Sequence, residues 1–256
     1  LKKMITDKEI IPIDLMEFNG KFICQTCLND IAHFHLPKNI NNLCYNNQTI
    51  KMICYVEEDY QYPNYAGITY VNILKEMPEL VAFKERHKDK IWTDDSDFLQ
   101  NAVRFSHKVF AQYHASKLGK KFMWLDADNI FMKEIPNNFM DTFIPGDTFT
   151  TFYGRSHYTE CGVIGFNSTL DISKKFFDVY LSHYTKDTIY NLPNKTDCHA
   201  FDNTRKLVPV KERDKNDGHG GHIIARDKEI NPYIDHKKGK RKYKDNSPEW
   251  VNQTNG

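Results

Sequence analysis

The run Phe122-Met123-Trp124-Leu125-Asp126-Ala127-Asp128 constrains this chain more than any other. Four consecutive apolar residues read as a buried strand, and two acids wait at its end. Side chains alternate along an extended backbone, so Asp126 and Asp128 are expected on one side of it. Two neighbouring carboxylates repel each other unless a cation lies between them. Hard oxygen ligands suit Mg²⁺ or Mn²⁺. An ion held in that way anchors a diphosphate.

The chain is long enough for a large core around such a strand, with 256 residues, 40% hydrophobic and 27% charged. Its net charge of +1 argues against a general affinity for nucleic acid or membrane. No apolar run approaches the roughly 20 residues needed to cross a bilayer. No secretory leader is visible, so the expected location is cytoplasmic, in a bacterium or a virus-infected cell. Six cysteines do not make a disulfide scaffold in a chain this long. Cys24 and Cys27 have the spacing of a zinc half-site, but no second pair follows, and the cysteines are expected reduced and structural.

Strands are expected at Lys21 to Leu28, Lys51 to Glu57, Lys121 to Leu125, Asp147 to Tyr153 and Gly162 to Phe166. Phe98, Ala102, Phe105, Val109 and Tyr113 form one apolar stripe, which predicts a helix from Asp97 to Leu118 with Gly119 past its end. A second helix is expected from Asp171 to Tyr184. Lys211 to Asp227 is polar and glycine-bearing and reads as loop. Strands alternating with helices imply an α/β sandwich with a mainly parallel sheet. In such sheets ligands bind beyond the carboxyl ends of the strands, where Asp126 and Asp128 stand.

A second run, His236-Lys237-Lys238-Gly239-Lys240-Arg241-Lys242, supplies what a diphosphate site still needs. His236 offers imidazole as a third metal ligand. Gly239 lets the backbone approach phosphate closely, and Lys242 donates to its oxygens.

With an Asp-x-Asp after an apolar strand and a late His-x-x-Gly-x-x-Lys, the chain resembles metal-dependent glycosyltransferases of the GT-A fold. The resemblance is strongest to family eight, which includes glycogenin and lipopolysaccharide galactosyltransferases. It runs from about Arg104 to Lys242. It implies one GT-A domain over residues 1–256 with a basic irregular tail from about 235. It also implies a nucleotide-sugar donor, a UDP-sugar, bound with Mn²⁺ or Mg²⁺. Asp126, Asp128 and His236 then hold the metal. Lys108 matches the family's cation facing the donor, Gly239 and Lys242 contact the diphosphate, and Thr26, at the end of the first strand, contacts the base. Glu160, in Glu160-Cys161-Gly162, and Asp197, in Asp197-Cys198-His199, fall near the donor sugar as candidate catalytic carboxylates. Asp197 has the alternative of capping a helix that begins at Cys198. Asp202 is a weaker sugar contact.

Departures from the family bear on the sugar, the acceptor and the stereochemical outcome, and much less on the metal and diphosphate residues. Glu160 replaces a neutral amide, Cys198 replaces a glutamine, and Lys242 is followed by Tyr243 instead of Pro-Trp. The family retains configuration, and Glu160 leaves inversion by a carboxylate base open. A glycan is the expected acceptor. The alternative is a hydroxymethylated pyrimidine in viral DNA, for which the basic run Lys237 to Lys244 and the Asn/Lys-rich composition speak. A phosphatase of the Asp-x-Asp type is disfavoured by Ile130 two residues on. A non-catalytic nucleotide-sugar-binding module has no need of a metal pair with phosphate cations. His219 and His222 are expected in a loop, and Trp92 and Trp124 in the core.

Overall fold

The computed structural model describes residues 22–26, 51–57, 68–90, 95–219 and 223–236, with backbone alone at 22–26, 51 and 95–97. The apolar run forms β4 (Lys121–Asp126). Phe122, Met123, Trp124 and Leu125 are all fully buried. Burying each such side chain contributes about 1.5–3 kcal/mol. Alternation divides them between two cores. Phe122 and Trp124 face one, with Phe110 and Phe177, while Met123 and Leu125 face the other, with Phe139, Met140 and Ile234.

Beside β4 run β1 (Phe22–Thr26), β2 (Lys51–Val56) and β3 (Ile68–Asn72) on one side, all parallel to it. On the other side lies β7 (Glu160–Asn167), antiparallel to β4, then β6 (Thr150–Tyr153), antiparallel to β7, and β8 (Glu212–Asp214), parallel to β6. The seven-stranded order is β3-β2-β1-β4-β7-β6-β8. Because β7 alone is reversed, Thr26, Val56, Asn72, Asp126, Tyr153 and Asp214 all end at one edge of the sheet, where β7 begins with Glu160. A separate antiparallel ribbon joins β5 (Asn129–Phe131) to β9 (Ile234–His236).

Helices cover both faces. Short α1 (Ile73–Glu76) is capped by the Asn72 side chain, and α2 (Pro78–Arg86) starts on a proline, whose missing N–H costs nothing there. Next come α3 (Ala102–Ser116), α4 (Phe139–Phe143), α5 (Ile172–Thr185), α6 (Asp197–Leu207) and α7 (Ile223–Arg226). The predicted stripe describes only part of α3. Phe98 is exposed and lies in a 3₁₀ turn ahead of the helix, while Ser106, His107, Lys108, Gln112 and His114 are buried. This helix is enclosed on most of its circumference, so polarity no longer marks its outer side. Gly119 has the expected left-handed φ of 59°, two residues past the C-cap Lys117.

The expected loop from 211 to 227 contains β8 and α7. β8 is an edge strand of charged, largely solvent-facing residues, so it pairs through its backbone and has no apolar alternation to betray it. No helix among the described residues is long and apolar enough to cross a membrane. Cys161 and Cys198 are free thiols.

Candidate functional site

β4 delivers Asp126 to the carboxyl edge of the sheet, but Asp128 arrives by another route than the predicted alternation. Ala127 and Asp128 form a turn, and the chain leaves it as β5. Asn129, fully buried, pins that turn. Its Nδ2 donates to the Asp126 carbonyl at 2.7 Å and to the Gly162 carbonyl at 3.1 Å. Asn129 also pairs in register with His236 across the ribbon. The ribbon thereby swings His236 over the turn, and its Nε2 lies 3.1 Å from Asp128 Oδ1.

One ligand atom from each of Asp126, Asp128 and His236 lies within 4.8 Å of the others. Six-coordinate Mg²⁺ holds its ligands at about 2.1 Å, which places them about 3–4 Å apart. Two carboxylate oxygens and an imidazole nitrogen at this spacing fit one Mg²⁺ or Mn²⁺ after small side-chain rotations. The His236 Nδ1 is buried and has no hydrogen-bond partner among the described residues. The ring packs on Gly162, where a β-carbon would come 2.4 Å from His236 Cε1 and 2.9 Å from Glu160 Oε1.

Lys108 projects from α3 into the same place. Its Nζ lies 2.8 Å from Asp126 Oδ1 and 2.8 Å from Asp197 Oδ2. Burial alone would strip its proton, but Asp126 and Asp197 outweigh that and hold the ammonium well above the ordinary lysine value. The Trp124 indole adds a hydrogen bond to Asp126 Oδ1 at 3.2 Å, so this core residue also orients a site carboxylate.

Asp197 is the first residue of α6 and not its cap. Thr196 caps the helix by accepting from the His199 N–H, which frees the Asp197 carboxylate to meet Lys108. Glu160 opens β7. One of its oxygens meets the Arg155 guanidinium, and Oε1 accepts from the Gly162 N–H at 3.0 Å. Asp202 lies apart from this group, accepting from Thr159 and Arg205.

The structure thus brings together Asp126, Asp128, His236, Lys108, Asp197 and Glu160. Thr26 ends β1 as the register partner of Asp126. Gly239, Lys242, His222 and Trp92 lie outside the described residues. His219 is exposed, and its N–H donates to Asp217 Oδ1 at 3.0 Å. Sequence reasoning missed Arg155, Asn129 and the bare α-carbon of Gly162. Asn129 carried a usable signal, a polar residue between the acids and the apolar pair Ile130-Phe131. Arg155 stands in an unpatterned loop and carried none.

Neither a protein-family model nor a curated protein matches the chain. Solved structures do. Mouse xyloside xylosyltransferase 1 is similar over 76% of this chain and 84% of its own, at 9% identity and a TM-score of 0.51. The Streptococcus pneumoniae glycosyltransferase GlyE is similar over 76% of this chain and 45% of its own, at 13% identity and a TM-score of 0.42. The galactosyltransferase LgtC is similar over 76% of this chain and 73% of its own, at 13% identity and a TM-score of 0.43. The sheet described above and the likeness to the mouse enzyme give the chain the GT-A glycosyltransferase fold.

Proposed function

We propose that the chain is a metal-dependent glycosyltransferase that moves a hexose from a UDP-sugar to a hydroxyl of a glycan, with retention of configuration. The observation that carries this is the meeting of Asp126, Asp128 and His236 beside Lys108, at the carboxyl edge of a GT-A sheet. Asp126, Asp128 and His236 would hold a divalent ion, which would neutralise the charge that develops on a departing diphosphate.

The chain's own groups do the rest. Lys108 keeps a positive charge beside the donor phosphates, in a setting of low dielectric where it acts strongly. Asp197 fixes that ammonium from behind through Oδ2, while its Oδ1 accepts from the Cys198 thiol. Glu160 already accepts through both oxygens, from Arg155 and from the Gly162 N–H. A carboxylate so engaged holds charge near the reacting carbon and is a poor collector of the acceptor's proton, which supports retention over inversion. Thr26, beside Asp126, is the contact for the base, and Gly239 and Lys242, which lie outside the described residues, keep the diphosphate role that the resemblance implies. The basic run that spoke for a DNA acceptor lies outside the described residues, and nothing on the described surface favours DNA.

The test is hydrolysis and transfer from a panel of UDP-sugars with Mn²⁺, with and without a chelator. Release of UDP from one donor, lost on chelation and in Asp128→Ala, is expected. Metal-independent turnover, or none with any donor, would overturn the reading.

A further inference from the structure

Behind Lys108 two thiols meet. Cys161 is the second residue of β7 and fully buried, and Cys198 is the second residue of α6 and half-buried. Their sulfurs and a carboxylate oxygen of Asp197 all lie within 4.8 Å of one another. Each cysteine directly follows a carboxylate of the site, Cys161 after Glu160 and Cys198 after Asp197. The Cys198 Sγ lies 3.8 Å from Asp197 Oδ1, and Asp197 Oδ2 lies 2.8 Å from Lys108. A displacement of Cys198 is therefore a displacement of the group that fixes the lysine.

We propose that Cys161 and Cys198 are an oxidisable pair, converted by a peroxide into a disulfide that draws Asp197 off Lys108 and weakens donor binding. Cys198 reacts first, because it alone of the two reaches solvent. Its thiolate attacks one oxygen of hydrogen peroxide, the O–O bond breaks, and the departing hydroxide leaves as water after taking a proton. Cys198 is then a sulfenic acid. The Cys161 sulfur attacks the Cys198 sulfur, the S–S bond forms as the S–O bond breaks, and the hydroxyl leaves as water with the thiol proton of Cys161. Two thiols have lost two electrons, and one peroxide has become two waters. Burial and the adjacent Cys198 thiol push the Cys161 thiol up, which fits its part as the second, resolving partner.

A disulfide requires its sulfurs about 2.05 Å apart. The sulfurs begin farther apart than that, and β7 sits in the middle of the sheet with every residue buried. The first turn of α6 is only partly buried, with Cys198 and His199 half-exposed, and is the part that yields. Asp197 lies on that turn.

The loss of donor binding rests on the proposed function, whereas the disulfide does not. Reduced protein is treated with hydrogen peroxide, its remaining thiols are alkylated, and it is digested with trypsin without reduction. A cross-linked pair of peptides, residues 156–174 with 196–205, is expected by mass. UDP-sugar hydrolysis with Mn²⁺ is expected to fall at least about tenfold and to return on adding dithiothreitol. Cys161→Ser keeps its basal hydrolysis and loses the peroxide sensitivity. Absence of the cross-linked pair overturns the proposal without reference to any activity, whatever the variant does. A cross-link that leaves donor hydrolysis unchanged, or equal inactivation of wild type and Cys161→Ser, overturns the coupling to the site.

Discussion

His236 rests its imidazole on the bare α-carbon of Gly162, so that a β-carbon there would come 2.4 Å from Cε1 and 3.0 Å from Nδ1 of the ring. Gly162→Ala adds no chemistry and displaces one proposed ligand. Mn²⁺ affinity is expected to fall about 10–100-fold, the usual cost of disturbing what orients a metal ligand. Titration calorimetry with Mn²⁺ on the folded variant reads this directly. An unchanged dissociation constant would show that the ring is not a ligand.

Asp128→Ala removes a proposed ligand and leaves the apolar run of β4 intact. Transfer is expected to drop by at least about 100-fold, since groups that stabilise developing charge contribute on that scale. The melting temperature without metal should stay near that of the wild type. Far-ultraviolet circular dichroism and UDP release, measured on the same sample, separate the two effects. Retained transfer would exclude Asp128 from the metal site.

Lys108→Met removes the cation that compensates Asp197, a residue only 2% exposed. An uncompensated buried charge costs about 3–5 kcal/mol. Urea unfolding should show that loss, and Asp197→Asn in the same background should recover a good part of it. If the second substitution recovers nothing, the pair is not the source of the cost.

His107 gives a pH signature. Burial, with Lys84 and Lys108 nearby, lowers its pKa from 6.5 to about 3. Between those values the unfolded chain binds a proton that the folded chain does not, so stability falls as the pH drops through this window. Each pH unit costs about 1.4 kcal/mol from this one group. Urea midpoints measured from pH 7 to pH 4 should decline less steeply for His107→Gln than for the wild type. Parallel slopes would mean that His107 is protonated in the fold.

The strand that carries the aspartates was legible because apolar side chains filling both faces of a sheet leave an unbroken hydrophobic run. The residues gathered at Asp126 were legible as residue types, but their routes were not. Asp128 lies in a turn that depends on Asn129, whose two hydrogen bonds reach the carbonyls of Asp126 and Gly162 and so need the tertiary structure. Capping stood as the alternative for Asp197 because aspartate serves that purpose well, and Thr196, one residue earlier, performs it. β8 escaped because pairing at a sheet edge is a property of backbone, not of side-chain pattern. The enclosed face of α3 escaped because Lys108 and His107 are polar by type, yet Lys108 is compensated by Asp126 and Asp197, distant in sequence, and His107 is buried without its charge.

The ribbon of β5 and β9 also draws the candidate site together from two distant stretches of the chain. Every strand of the seven-stranded sheet is complete by Asp214, while His236 is contributed by β9, the final described strand. A chain ending before residue 234 would include every strand of that sheet and both aspartates but not His236. Such a product would lack one of the three proposed metal ligands, and with it the Ile234 side chain that packs in the core with Met123 and Leu125.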